Sequence, residues 1–146
     1  MMFKFNRSKQ RGISLLEVLL SLAVIAIILV MATRYYKSAQ QSQQASNALS
    51  MIGGIVTAET QYKAANGNIA GSLAQLTGGG YLPTNFGTDP WGNAIKIDTP
   101  KGGAITITVG PMPGNTCDIL KGMVNSGAGA AAATCAEDGT LAANYQ

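Results

Sequence analysis

The chain has 146 residues, of which 47% are hydrophobic and only 12% charged, and it contains no histidine. Four of its ten basic residues lie in the first twelve positions, so the other 134 positions hold six basic and seven acidic residues. That balance leaves no basic face for the phosphates of a nucleic acid, which we do not expect as a partner. Histidine, the usual general base, is absent and the acids are scattered, so we expect no enzyme, metal or cofactor.

A strongly apolar run follows the basic leader. Residues 13–32 contain neither proline nor glycine, and their only charge is Glu17. Twenty helical residues at about 1.5 Å each span roughly 30 Å, the hydrocarbon thickness of a bilayer. The leading positive charges favour a cytoplasmic amino terminus, which would place the bulk of the chain outside the cytoplasm. The run is longer than the apolar region of a cleaved secretory signal, so we expect it to stay in the mature protein.

Glu17 is the anomaly in this run, because a carboxylate inside a bilayer costs about 2.5 to 3.5 kcal/mol. The run holds no Lys, Arg or His that could pair with it. One interpretation is structural: Glu17 lies four residues inside the run, where it can be protonated or reach the lipid headgroups. The other is functional, since an acid within a membrane segment marks a contact that needs a partner.

The basic leader ends in Gly12, which is followed by the apolar Ile13 and by Glu17 at the fifth position counted from Ile13. This pattern opens directly into the twenty-residue apolar run. Together the leader and the run resemble the class III signal of type IV pilins. The resemblance implies that a membrane-embedded prepilin peptidase cuts between Gly12 and Ile13 and methylates the new amino terminus. It also implies that Glu17 of one subunit pairs with the terminal amine of its neighbour, which is largely protonated at neutral pH.

The subclass stays open between type IVa and type IVb. Ile13 stands where type IVa pilins usually have phenylalanine, a departure common in type IVb, but the leader is shorter than many type IVb leaders. Many family members also have a proline about two thirds through the span, where this chain has Arg34.

The helix is expected to continue beyond the span as an amphipathic extension over residues 34–66. Gly53 and Gly54 are expected to soften it, and the sequence after Asn66 to end it. The remaining eighty residues can cover its apolar stripe. The stripe is predicted to comprise Ala39, Ala45, Leu49, Ile52 and Val56.

The first part of the head is predicted to be loops and turns. Ser72 is expected to cap a short helical turn. Residues 88–93, with Asp89 in a turn and Trp91 in the core, resemble the loop after the long helix in pilins and, more closely, in the major pseudopilins of type II secretion. Those relatives form a calcium site nearby, but the downstream acids it needs are not evident here, so calcium near Asp89 stays open.

Residues 94–98 and 104–109 alternate between apolar and polar, and residues 100–103 between them read as a hairpin loop. Their common apolar face would cover the helical stripe and give an α+β head, a long helix packed on a small antiparallel sheet. Thr106 and Thr108 are expected to point outward. The face comprises Ile95, Ile97, Ile105, Ile107 and Val109.

The carboxyl-terminal region contains both cysteines. Asn115 or Thr116 is expected to cap a short helix bearing Cys117, and a Gly/Ala tract leads to Cys135. In an oxidising compartment the two cysteines would close a loop of about 18 residues, worth on the order of 3 kcal/mol, and two buried free thiols are the alternative. In pilins this bridged loop is a variable surface region that meets neighbouring subunits. Exposed contacts are expected at Lys121, Glu137 and Asp138.

Four segments result: a cleaved leader (1–12), a transmembrane and filament-core helix (13–33), its amphipathic extension (34–66) and an α+β head with a carboxyl-terminal disulfide (67–146). The resemblance implies a structural subunit that starts in the inner membrane with its head in the periplasm. It would then polymerise with itself, through an assembly machinery, into an extracellular filament. A type II secretion pseudopilin or minor pilin is the close alternative, and a membrane-anchored periplasmic binding protein or enzyme is the distant one. Composition does not discriminate among adhesion, motility, conjugation and DNA uptake.

Overall fold

The structure is a computed structural model that describes residues 13–99, 103–127 and 129–146. The predicted leader and most of the predicted hairpin loop therefore lie outside the described residues. The chain divides into two compact units, one ending at Ser38 and one from Ala39 to Gln146. In chain order the elements are α1 (Leu15–Asn66), α2 (Leu73–Gly78), a 3-10 turn (Thr84–Gly87), β1 (Lys96–Asp98), β2 (Ile105–Val109), α3 (Thr116–Gly127), β3 (Ala132–Cys135) and β4 (Leu141–Tyr145).

The helix α1 runs without a break from Leu15 to Asn66, as the sequence predicts. It ends at Gly67, whose φ of +76° suits glycine and whose N–H donates to the Lys63 carbonyl over 2.8 Å. The two internal glycines leave α1 unbroken. A Cβ on Gly54 would lie 2.9 Å from the Phe86 ring, so the missing side chain makes room for that ring.

The buried face of α1 differs from the predicted stripe. Leu49 and Val56 are only partly buried, at the edge of the core, and Ala39 is exposed. Three of the buried side chains are alanines, which allow neighbouring elements to approach the helix closely. This shifts the core-facing side toward them and away from Leu49 and Val56. The buried residues are Ala45, Ala48, Ile52, Ile55, Ala58 and Glu59.

The four strands form one antiparallel sheet in the order β1-β2-β4-β3. The predicted hairpin of β1 and β2 is confirmed, with Ile97 opposite Ile107. The strands β3 and β4 were not predicted from the sequence. On its other side β2 pairs with β4, where Ile107 lies opposite Ala143. The terminal strand β4 is therefore an inner strand of the sheet.

One face of the sheet and the buried face of α1 share a single hydrophobic core. The alternation along β2 and β4 places every second side chain in it, which confirms the predicted apolar face and the α+β fold class. On the opposite face the Thr106 hydroxyl donates to Asn144 Oδ1 over 2.7 Å. The buried strand residues are Ile97, Ile105, Ile107, Val109, Ala133, Leu141, Ala143 and Tyr145.

The predicted side-chain cap at Ser72 is wrong. Ser72 occupies the N-cap position of α2 but makes no side-chain cap hydrogen bond. The Gly71 N–H donates instead to Gln75 Oε1 over 2.7 Å, so an acceptor from within the helix stabilises this end. At the start of α3 the Thr116 hydroxyl donates to the Pro113 carbonyl over 2.7 Å.

Candidate membrane and assembly segment

The first part of α1 exposes its apolar side chains on every side. The large ones between Ile13 and Tyr36 are 44% to 81% exposed. Soluble proteins rarely expose a contiguous apolar patch of this extent. Within the part of the chain that the structure describes, α1 is the one helix long and apolar enough to cross a membrane. This segment therefore requires lipid or other protein around it.

The hydroxyl groups in this segment are satisfied within the helix. Ser21 donates to the Val18 carbonyl over 2.9 Å, and Thr33 donates to the Val30 carbonyl over 3.0 Å. Lipid offers no hydrogen-bond partner, so a polar side chain in a membrane must form such bonds within the helix. Glu17 is thus left as the single charged side chain in the apolar run.

Glu17 is exposed in the first turn of α1, and its N–H donates to the Ser14 carbonyl over 2.9 Å. A carboxylate at this end of a helix is favoured by the helix dipole. Ile13 is 74% exposed and precedes the first turn. Gly12 lies outside the described residues. Cleavage between Gly12 and Ile13, and the pairing of Glu17 with an amine, stay predictions.

The apolar segment ends in four polar or aromatic residues, Arg34 to Lys37. Tyr35 is 81% exposed and Tyr36 64% exposed. Tyrosine and basic side chains are typical of the membrane–water interface. The exposed apolar surface therefore ends where a bilayer of ordinary thickness would end.

In the head, Cys117 on α3 and Cys135 on β3 form a disulfide with a Cα–Cα distance of 6.1 Å. The predicted bridge is confirmed, and the alternative of two free thiols is wrong. A hydrogen bond adds a second connection between α3 and β3, because the Ala133 N–H donates to Asn125 Oδ1 over 3.1 Å. Since β3 is an edge strand, this side chain occupies a donor that would otherwise face outward.

The loop at Asp89 has the predicted turn, whereas Trp91, expected in the core, is only partly buried against it. Asp89 is buried, and its Oδ1 accepts the N–H groups of Trp91 at 3.0 Å and Asn93 at 2.7 Å, while its Oδ2 accepts the Gly110 N–H at 3.0 Å. The Trp91 indole donates to Gln44 Oε1 of α1 over 3.1 Å. Both carboxylate oxygens thus face N–H donors, an arrangement that fixes a loop and does not resemble a set of calcium ligands.

Two of the three expected surface contacts in the carboxyl-terminal region are exposed. Glu137 and Asp138 lie at the surface, whereas Lys121 is half-buried. The Thr140 N–H donates to Asp138 Oδ1 over 2.9 Å, and this bond lowers the pKa of Asp138 below 3.8.

The chain also contains a buried acid, Glu59, that was not predicted from the sequence. Glu59 is only 2% exposed; its Oε2 accepts the Ala70 N–H over 3.0 Å, and its Oε1 has no hydrogen-bond partner among the described residues. Burial raises the pKa of Glu59 above 4.5, and the Ala70 bond opposes that shift in part. The Tyr145 hydroxyl is likewise buried and has no hydrogen-bond partner in the described part of the chain, and both side chains line a cavity of about 180 Å³.

The comparisons with known proteins agree with the amino-terminal pattern. Residues 7–33 match the family model of the prokaryotic N-terminal methylation motif. Neither a curated protein nor a solved structure matches the chain. The matched region includes Gly12, Ile13, Glu17 and the whole apolar run, and proteins defined by this motif are structural. The chain therefore has the N-terminal methylation motif, the class III signal of type IV pilins and pseudopilins, at the start of a long apolar helix.

Proposed function

We propose that this protein is a structural subunit of a type IV pilus, made as a prepilin and assembled through its apolar helix. The observation that supports this most is the position of the methylation motif. It opens directly into a segment whose apolar side chains are exposed all round and whose single charge is Glu17. Such a segment suits both a bilayer and a bundle of identical helices, the two surroundings that a pilin passes through.

Before assembly, residues 13–33 cross the inner membrane and the head lies in the periplasm. The basic leader keeps the amino terminus in the cytoplasm, where prepilin peptidase removes residues 1–12. The disulfide in the head fits export to an oxidising compartment. Residues 34–66 extend the helix, and residues 67–146 complete the α+β head.

Cleavage before Ile13 creates a positive amine at the start of the apolar helix. An ammonium and a carboxylate removed from water each need a partner. Glu17 of one subunit supplies the carboxylate to the amine of the next, and this pair sets the stagger between helices. Apolar packing alone would not specify that stagger, because lipid tails are as apolar as leucine.

The test replaces Glu17 by alanine in cells that contain the assembly machinery. We expect Glu17→Ala to be inserted and stably folded but to form no filaments, because the amine of the neighbouring subunit then lacks its counter-ion. Glu17→Asp should restore filaments in part. Asp98→Ala, which removes an exposed acid from β1 of the head, serves as the matched control and should assemble normally. Electron microscopy of sheared filaments gives the result, and normal filaments from Glu17→Ala would contradict the proposal.

A pseudopilin of type II secretion is the second candidate. The loop at Asp89 and Trp91 favours it, because this stretch is most similar to the corresponding loop of major pseudopilins. The bridge between Cys117 and Cys135 favours the pilin, because pseudopilin heads typically lack that disulfide. Deletion of the chain separates the two, since loss of surface filaments identifies a pilin and loss of protein secretion identifies a pseudopilin.

A further inference from the structure

Two apolar grooves lie along the part of the membrane segment that follows Val24, and each includes one cation. The first has a volume of about 370 Å³ and the second of about 390 Å³. The first is lined by Ala26, Ile27, Val30, Met31 and Arg34. The second is lined by Leu29, Ala32, Thr33, Tyr36 and Lys37.

Each groove is apolar along its length and positively charged at one end. The small side chains of Ala26 and Ala32 leave room between larger neighbours. From Ala26 to Arg34 the helix rises about 12 Å, which is less than half of a hydrocarbon core of about 30 Å. A groove of this length, with its cation at the interface, matches one leaflet of a bilayer.

We propose that these grooves bind anionic phospholipid, with an acyl chain along the groove and the phosphate on Arg34 or Lys37. This inference rests on the proposed membrane stage, because it names the lipid that contacts the segment before assembly. Charge complementarity favours a phospholipid over a second copy of the helix, since the apolar run of another copy offers one carboxylate, Glu17, at its opposite end. Basic side chains at a bilayer surface attract anionic headgroups.

The experiment measures lipid selectivity with the full chain in vesicles of equal parts phosphatidylcholine and phosphatidylglycerol. Spin-labelled lipids of each kind report, by electron paramagnetic resonance, the fraction held immobile at the protein. We expect the wild type to retain phosphatidylglycerol over phosphatidylcholine. The variant R34Q/K37Q should lose this preference by about fivefold for each cation at low salt. The control K63Q/K96Q removes the same charge outside the segment and should keep it.

A second pair of variants tests the grooves themselves. A26L/A32L fills both grooves without altering charge, and we expect it to lower the immobilised fraction of phosphatidylglycerol. Ala23→Leu adds one leucine to the same span outside both grooves, half of the added bulk, and should leave that fraction unchanged.

Three results would overturn the proposal. The first is a wild type that retains both lipids equally, and the second is an R34Q/K37Q variant that keeps the wild-type preference. In the third, A26L/A32L blocks filament assembly but leaves lipid retention unchanged, which would show that a neighbouring helix occupies the grooves. Extraction of the vesicles at alkaline pH distinguishes a failure of lipid binding from a failure of the proposed membrane insertion. A chain released by extraction was never inserted, and that result overturns both proposals.

Discussion

Glu59 shows how a single residue couples the fold to pH. Its carboxyl group is held by one bond to the Ala70 N–H, while its other oxygen has no partner among the described residues. Burial therefore raises its pKa above 4.5 in the folded chain. Lys63 and Tyr145 line the same cavity, and burial also raises the pKa of Tyr145 above 10.0, so that the phenol stays neutral in this range.

This raised pKa predicts a defined loss of stability as pH rises. The folded chain binds the Glu59 proton more tightly than the unfolded chain, so its contribution is fully present below 4.5 and is lost as pH rises through the folded pKa. Glu59→Gln, which carries no charge, should lack this fall and be more stable than the wild type at neutral pH. Denaturant unfolding of the full chain in detergent, repeated across this range, measures the difference.

Two controls test whether the pH dependence of stability comes from Glu59. Asp138, whose pKa is lowered, contributes its stability above 3.8 and loses that contribution as pH falls below 3.8, outside the Glu59 window. Glu137→Gln removes an exposed acid and should keep the wild-type pH profile. A Glu59→Gln variant with the same fall in stability as the wild type would show that the pH dependence arises elsewhere.

Residues that stand out in a simple sequence pattern could be singled out from the sequence alone, but the burial of Glu59 could not. Glu17 was visible because it interrupts an apolar run, and the cysteines because there are only two. Glu59 has Lys63 four positions later, the spacing of an exposed ion pair on a helix. Its burial could have been predicted from its position, since Glu59 follows Ile52 and Ile55 at steps of three and four residues on the same helical face.

Among the elements, the helix α1 has two parts in different surroundings: one packs into the core of the head, and the other exposes its apolar side chains. Ile52 is fully buried in the core, whereas Ile28 is 59% exposed in the apolar segment. The same substitution at the two positions therefore separates folding of the head from the surroundings of the segment.

We expect Ile52→Ala to lower the unfolding free energy of the head by about 2 to 5 kcal/mol, because it leaves a cavity in the core. Ile28→Ala should leave head stability within about 0.5 kcal/mol of the wild type. Denaturant unfolding followed through the fluorescence of Trp91, the single tryptophan, reports on the head. Equal losses from both substitutions would contradict this division of the helix.

The disulfide gives a second prediction at this scale. It connects α3 with β3, two elements that also share the bond from Ala133 to Asn125. Replacing Cys117 and Cys135 by serine should lower stability by about 3 kcal/mol, because the unfolded chain regains the freedom of an 18-residue loop. Unfolding of the oxidised and variant chains under the same conditions measures this. An unchanged midpoint would show that hydrogen bonds alone hold the region.

The strands β3 and β4 show where sequence patterns were insufficient. Residues 132–135 and 141–145 consist largely of small side chains, so their alternation is faint beside that of β2. Their strand conformation depends on pairing, with β4 completing five residue pairs along β2. The long helix was predictable from its unbroken apolar run, and the first hairpin from the strict alternation of its two strands.

In the whole molecule, the head and the apolar segment differ in how much of their apolar surface is buried. The head buries its apolar residues in one core. The first segment buries none of its large apolar side chains within the chain. The methylation motif covers most of this exposed segment, which fits the proposed passage of the chain from a membrane into a polymer.

The intact mass of the protein tests this account most directly. We would purify it from membranes of cells that contain prepilin peptidase and of cells that lack it, and sequence the amino terminus of each product. The account predicts a chain that starts at methylated Ile13 only where the peptidase is present, and an uncut chain from Met1 where it is absent. An uncut chain in both would contradict it and favour a membrane-anchored periplasmic domain.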